Sequence, residues 1–156
     1  MTSLIPIKDC ELILHNPNKS VKEKYDILYH LRTHANEESA EALRRSYSFL
    51  NSDLLQHEIM FILGQIKQDC SLEYLTGVLC DEKESPVVRH EAGEALSYFF
   101  KYKEQVFSVL SKFKDHPESL IRSTAQIALK KLEYPSIREK YGKFIPGSIE
   151  PGAPFD

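Results

Sequence analysis

The chain repeats itself with a period of about 33 residues, and this repetition limits the folds open to it more than any other feature. Four blocks fall into register, and the equivalent positions carry Tyr25, His57, His90 and Ser123. In every block a leucine follows six residues later: Leu31, Leu63, Leu96 and Leu129. A helix pair repeated at this spacing is typical of an α-solenoid, in which each pair buries its apolar face only by stacking on the next.

The apolar residues within each block recur with helical rather than strand periodicity. In the second block, Leu55, Ile59 and Leu63 follow one another at four-residue steps. We find no convincing alternating strand that is followed by a hairpin turn. The sequence therefore predicts an all-α fold, an α-solenoid of about four HEAT-like helical-hairpin repeats over residues 1–134.

Turn-like clusters precede the main apolar runs and set the expected helix boundaries. Ser52 or Asp53, Ser85 and the His116-Pro117 pair are the predicted starts of the last three main helices. The predicted main helices cover 21–32, 54–66, 87–100 and 120–132. The predicted shorter helices cover 8–15, 36–49, 70–80 and 102–114.

Composition excludes several classes of protein. The formal net charge is −3 with a pI near 6.1, which is not the charge of a nucleic-acid-binding domain. No apolar run approaches the roughly 18 to 20 residues of a membrane span, and the first residues lack a secretory signal pattern. Three cysteines without a CxxC pair fit reduced thiols. We expect a cytoplasmic domain without a nucleic-acid or membrane partner.

The C-terminal residues differ in composition from the repeats. Six prolines and glycines fall within the last 15 residues: Gly142, Pro146, Gly147, Pro151, Gly152 and Pro154. Such a composition does not favour a packed helix. We predict that residues 135–156 form a linker or a C-terminal arm.

Two His-Glu dipeptides, His57-Glu58 and His90-Glu91, occupy the same position of adjacent repeats. Equivalent positions on neighbouring solenoid helices lie side by side, with the axes about 8 to 10 Å apart. Two imidazoles and a carboxylate can therefore meet at one ion, as in the non-haem iron oxygenases, although zinc uses the same donor types. The pairs can also be repeat consensus or an anionic patch for a basic partner. Glu94, one turn after His90, either faces this site or is solvated.

Two glycines fall inside the predicted helices. Gly64 and Gly93 each cost about 1 kcal/mol relative to alanine in a helix interior. Either these helices approach a neighbouring helix or a ligand closely, or the glycines are simply tolerated.

Around the His-Glu dipeptides the chain resembles the deoxyhypusine hydroxylases. The resemblance is most specific at residues 54–65 and 86–96, and it extends to about Tyr134. It implies an all-helical HEAT-repeat di-iron monooxygenase. Such an enzyme uses Fe(II) and O₂ to hydroxylate the deoxyhypusine side chain of eukaryotic translation initiation factor 5A, which completes hypusine.

Carried over by motif, the resemblance implies that His57, His90 and Glu91 ligate one iron. Glu58 matches a glutamate tied to the substrate, so we expect this catalytic residue to hold the cationic amine of the side chain. Glu94 is a further candidate for substrate binding.

The chain departs from this family in its number of His-Glu pairs. The family normally carries four pairs in two halves, and this chain carries two. It resembles the N-terminal half, followed by the linker between halves. We expect a fragment of a longer enzyme, a half that pairs with a second half-domain or a homodimer partner to rebuild the di-iron centre, or a half without catalysis. The alternative function is a non-catalytic HEAT-repeat scaffold for protein interaction.

Overall fold

The computed structural model describes residues 3–134, and all regular secondary structure in that range is helical. The α-helices there are α1 (Ile7–His15), α2 (Val21–His34), α3 (Glu37–Ser46), α4 (Asp53–Ile66), α5 (Leu72–Cys80), α6 (Pro86–Leu96), α7 (Lys103–Ser111) and α8 (Ser119–Glu133). Single 3₁₀ turns cover Tyr47–Phe49, Asp69–Ser71 and Phe100–Tyr102. The predicted all-α fold is confirmed, whereas the linker or arm predicted at 135–156 lies outside the described residues.

The first helices of the repeats stack side by side as the repeat predicts, but α4 and α6 pack on the helix before them rather than on the one after. The first helices of the repeats form one layer, because α2 contacts α4, α4 contacts α6 and α6 contacts α8. Each second helix packs on the next repeat, since α3 contacts α4, α5 contacts α6 and α7 contacts α8. α1 packs on α2 and α3. The chain is thus a HEAT-like α-solenoid, with the fourth repeat represented by α8 within the described residues.

Polar caps fix where the first helices of the repeats begin. The Ser52 and Ser85 side chains accept hydrogen bonds from backbone amides in the first turns of α4 and α6, which confirms both predicted starts. α8 begins later than the His116-Pro117 pair, at Ser119, with Glu118 as the cap. Both carbonyls of that pair accept hydrogen bonds from the Arg122 guanidinium, so the pair forms part of the turn.

α6 ends before the predicted boundary at residue 100. The Ser97 hydroxyl donates to the Glu94 carbonyl at 2.6 Å, and the amides of residues 97–99 bond three residues back. These bonds tighten the chain into a 3₁₀-type turn. Phe99 still packs in the core, at 4% exposure, so its apolar character reflects burial from a turn rather than a longer helix.

The leucine that recurs in each repeat is a core residue. Leu31, Leu63 and Leu96 have no exposed surface, whereas Leu129 in the last repeat is half-buried. Burying a leucine side chain contributes about 1.5 to 3 kcal/mol. The repeat therefore preserves a residue that is buried in the core in three of its four copies.

The three cysteines are unpaired in the structure. Cys10 is buried, Cys70 is half-buried and Cys80 is exposed. Burial, together with the charge of Asp9, raises the pKa of the Cys10 thiol to about 11, so this thiol stays protonated near neutral pH. Among the helices of residues 3–134, none combines the length and the apolar composition that a bilayer span requires.

Both helix-interior glycines lie at close contacts between helices. A Cβ atom on Gly64 would lie 2.7 Å from the Ala95 Cβ and 2.8 Å from its Cα, so α4 and α6 meet almost backbone to backbone. A Cβ atom on Gly93 would lie 3.1 Å from the Thr124 Cγ2, where α6 meets α8. The expectation of close approach is confirmed at both positions.

We expect Gly64→Ala to lower the free energy of unfolding by about 1 to 3 kcal/mol, because the backbone of Ala95 cannot yield to the new methyl group. Gly77→Ala in α5 is the matched control. A Cβ there meets nothing within 4 Å, so we expect a gain of about 0.5 to 1 kcal/mol. Urea denaturation measures both changes, and equal effects of the two substitutions would contradict the proposed close contact.

Candidate metal centre

The repeat places four side chains in one row across the first-helix layer. Tyr25, His57, His90 and Ser123 are each the fifth residue of their helix, in α2, α4, α6 and α8. Because neighbouring helices start in register, these side chains occupy the same height in the solenoid. The two histidines therefore lie on adjacent helices, as the sequence predicts.

Glu91 joins the two histidines. Its Oε2 atom lies 2.8 Å from the His57 Nε2 and 3.7 Å from the His90 Nε2. The Glu91 side chain is only 2% exposed, and the His57 and His90 side chains are 23% and 22% exposed. The structure thus brings together the three residues predicted to ligate metal, with a buried carboxylate between two partly accessible imidazoles.

The Glu91 Oε2 atom accepts no hydrogen bond among the described residues. The approach of the His57 Nε2 is short but does not meet hydrogen-bond geometry. A buried carboxylate oxygen without a hydrogen bond carries a large desolvation cost, which a cation at this point would offset. Imidazole nitrogens and carboxylate oxygens are donors that iron and zinc both accept. The residues present therefore fit a divalent transition-metal ion.

Glu94 forms a second group of possible metal ligands with His90 and Glu91. One ligand atom from each of His90, Glu91 and Glu94 lies within 4.8 Å of the others. The Glu94 Oε2 is 3.8 Å from the His90 Nε2, and its Oε1 is 3.0 Å from the Lys131 Nζ. Glu94 is therefore not a solvated residue, and it carries an internal counterion.

Lys131 and Thr124 are two residues of this site that sequence reasoning missed. Both are largely buried on α8, and they lie two helical turns apart on the same face. Lys131 pairs with Glu94, and the Thr124 Oγ1 lies 2.5 Å from the His90 Nδ1. The repeat could have indicated Thr124, because this residue occupies the position that Glu58 and Glu91 hold in the two preceding repeats.

Glu58 lies near the α2 end of the row, beside Tyr25. The pKa of Tyr25 is raised by the hydrogen bond with Tyr29, then by burial and the Glu58 carboxylate. Glu58 is half-buried and does not belong to the group formed by His90, Glu91 and Glu94. The structure thus separates the carboxylate predicted to bind substrate from the carboxylate predicted to bind metal.

A pocket of about 180 Å³ opens beside His90 and Glu94, between α6 and α8. Apolar atoms of Leu120, Ile127 and Ala128 line its wall. A larger pocket of about 620 Å³ lies between α3 and α5, and no member of the His-Glu row lines it. The smaller pocket is therefore the one next to the candidate centre.

We expect Lys131→Ala to lower the free energy of unfolding of the metal-free protein by about 3 kcal/mol, because it leaves the Glu94 carboxylate buried without its counterion. The control is the double substitution Lys131→Met with Glu94→Gln. It removes both charges, so we expect a smaller loss in the free energy of unfolding. Urea denaturation gives both values. If Lys131→Ala is as stable as the wild type, burial of the Glu94 carboxylate does not depend on its ion pair with Lys131.

Comparison with known proteins finds similarity to deoxyhypusine hydroxylases, although no family model matches the chain. Deoxyhypusine hydroxylase-B of Oryza sativa subsp. japonica is 31% identical over 139 residues, which cover 89% of this chain and 44% of that protein. Deoxyhypusine hydroxylase of Kluyveromyces lactis is 34% identical over 159 residues, which cover 93% of this chain and 49% of that protein.

A solved structure agrees with these relatives. Human deoxyhypusine hydroxylase in complex with glycerol superposes with a TM-score of 0.76 at 26% identity, over 94% of this chain and 47% of the human chain. This chain therefore spans about half the length of the curated relatives that it matches. Over most of its own length, it is a homologue of the deoxyhypusine hydroxylases.

Proposed function

We propose that this chain is one half, corresponding to the N-terminal half, of an iron-dependent monooxygenase that hydroxylates the deoxyhypusine side chain of eukaryotic translation initiation factor 5A. The observation that carries the proposal is the buried Glu91 oxygen between His57 and His90, in a homologue of the deoxyhypusine hydroxylases. We also propose a cytoplasmic location, which the free thiols support.

His57, His90 and Glu91 are the proposed iron ligands. They offer two imidazole nitrogens and a carboxylate, a donor set that suits Fe(II) and leaves positions free for other ligands. Bound Fe(II) would supply the activation of O₂ that hydroxylation of an aliphatic C–H bond requires. Glu91 keeps the two imidazoles together, and its burial limits access of water to this side of the centre.

Glu58 is the proposed catalytic residue that binds the amine end of the substrate. A carboxylate forms a charge-assisted hydrogen bond with an ammonium group, which holds the chain and orients its reacting carbon. Glu94 is proposed as a second substrate-binding residue because it lines the pocket beside His90. Since Lys131 already pairs with Glu94, we assign the larger share of amine binding to Glu58.

A complete di-iron centre needs ligands from a second source. The described residues of one chain offer the proposed set for one iron, and Glu94 is the only further candidate in the group. We propose that a second half-domain or a second copy of this chain supplies the other set.

The test of this proposal is the amount of iron per chain, measured on the size-resolved protein together with its mass. We expect a dimer with about one Fe per chain. We expect His57→Ala and His90→Ala to lose most of this iron while the helical content stays near wild type. Removal of a ligand should lower the affinity for iron by more than the roughly 10- to 100-fold that follows removal of a residue hydrogen-bonded to a ligand.

His116→Ala is the control for the histidine variants. The His116 ring accepts a hydrogen bond from the Glu118 amide in the turn before α8, so this change removes an imidazole without touching the centre. Full iron occupancy in His57→Ala or His90→Ala would contradict the ligand assignment. A metal-free monomer would favour the alternative, a HEAT-repeat scaffold, or a half that binds iron only with its partner.

The two glutamates of the His-Glu pairs should differ in their effect on iron. We expect Glu58→Ala to retain more iron than Glu91→Ala, because only Glu91 lies between the imidazoles. Metal analysis of both variants under the same conditions measures the difference. Equal loss from both variants would contradict the proposed division between metal binding and substrate binding.

A further inference from the structure

One contact recurs along the row of fifth helical positions. In each case the sixth residue of one helix of the first-helix layer contacts the ring carried by the fifth residue of the neighbouring helix that precedes it in the chain. Glu91 reaches His57, and Thr124 reaches His90. Glu58 lies in the same way beside Tyr25. Thr124 is therefore the member of this series that contacts His90, and it does so through a neutral hydroxyl.

The direction of the hydrogen bonds at Thr124 follows from its partners. Its hydroxyl carries one hydrogen, and the Leu120 carbonyl, 2.7 Å away, can only accept it. Towards His90 the Thr124 Oγ1 must then accept, at 2.5 Å from the Nδ1. The His90 Nδ1 therefore carries a hydrogen, and in the neutral ring the Nε2 holds the free lone pair.

The His90 Nε2 makes no hydrogen bond to the carboxylates around it. The nearest carboxylate oxygens, from Glu91 and Glu94, are 3.7 and 3.8 Å away, which is too long for a hydrogen bond donated by the Nε2. The Nε2 thus lies near two carboxylates without a hydrogen bond to either, and a cation placed there would be attracted by both. This is the arrangement that a metal-binding nitrogen requires.

Close packing holds Thr124 in place. The side chain is 6% exposed, and its methyl group lies against Gly93, where a Cβ atom would come within 3.1 Å. The methyl contact on one side and the Leu120 carbonyl on the other leave the hydroxyl a single orientation. The absence of a side chain at Gly93 therefore allows α8 to bring this hydroxyl to His90.

We propose that Thr124 is a positioning residue that holds His90 as the Nδ1–H tautomer and directs its Nε2 to the metal. The proposal rests on the proposed role of His90 as an iron ligand. Thr124 itself does not touch the metal, so it acts only through the imidazole. Outer hydrogen bonds of this kind commonly fix the tautomer and orientation of histidine ligands.

The test compares Thr124→Val, which removes the hydroxyl and keeps the shape, with Thr124→Ser, which keeps the hydroxyl. Thr76→Val is the matched control, because Thr76 makes the same hydrogen bond to a carbonyl four residues back, but in α5. We expect Thr124→Val to weaken binding of Fe(II), measured anaerobically by titration calorimetry, by about 10- to 100-fold. Thr124→Ser and Thr76→Val should stay near wild type.

A second readout needs no metal. Nitrogen-15 NMR of the metal-free protein reports which ring nitrogen of His90 is protonated, and we expect the Nδ1–H form in the wild type and a mixture in Thr124→Val. Unchanged iron affinity and tautomer in Thr124→Val would overturn the proposal, as would equal losses in Thr124→Ser. If the wild-type chain binds no iron, the role of His90 as an iron ligand in the lone chain fails, whereas a tautomer that differs between the wild type and Thr124→Val still supports the positioning role of Thr124.

Discussion

The close contact between α4 and α6 is the constraint on which the candidate centre depends. Gly64 lies against the backbone of Ala95, so the two helices approach more closely than helices separated by side chains. This approach lets the His57 Nε2 reach the Glu91 Oε2 at 2.8 Å across the helix boundary. The glycine is costly for the helix alone, but it permits a contact between repeats that neither helix could make with its own residues.

Charge within the centre is unbalanced in a way that favours a cation. Glu91 and Glu94 bring two carboxylates into a largely buried space, and Lys131 offsets one of them. The Oε2 atom of the second carboxylate, Glu91, lies near both imidazole nitrogens and accepts no hydrogen bond among the described residues. Buried charge of this kind is stable only when it is paired or bound to metal. The same group therefore contains both the internal ion pair and the carboxylate proposed to bind a cation.

Much of the fold and part of the site follow from the sequence, because the repeat fixes the register. The spacing of His57 and His90 predicts adjacent helices, and the Ser52 and Ser85 caps explain why both histidines are fifth in their helices. Lys131 could not be predicted, because its pairing with Glu94 depends on how far α8 runs beside α6. The end of α6 was also missed, since a buried apolar residue in a turn looks like a continuation of the helix.

The row of contacts across the repeats has a direction, which bears on the order of folding. Each ring receives its partner from the repeat that follows it in the chain: His57 from α6 and His90 from α8. During synthesis the N-terminal helices emerge first, and in a solenoid they can pack on their neighbours before the chain is complete. His90 would then remain unoriented until α8 has docked, so the first hairpins can fold well before the geometry proposed for metal binding exists.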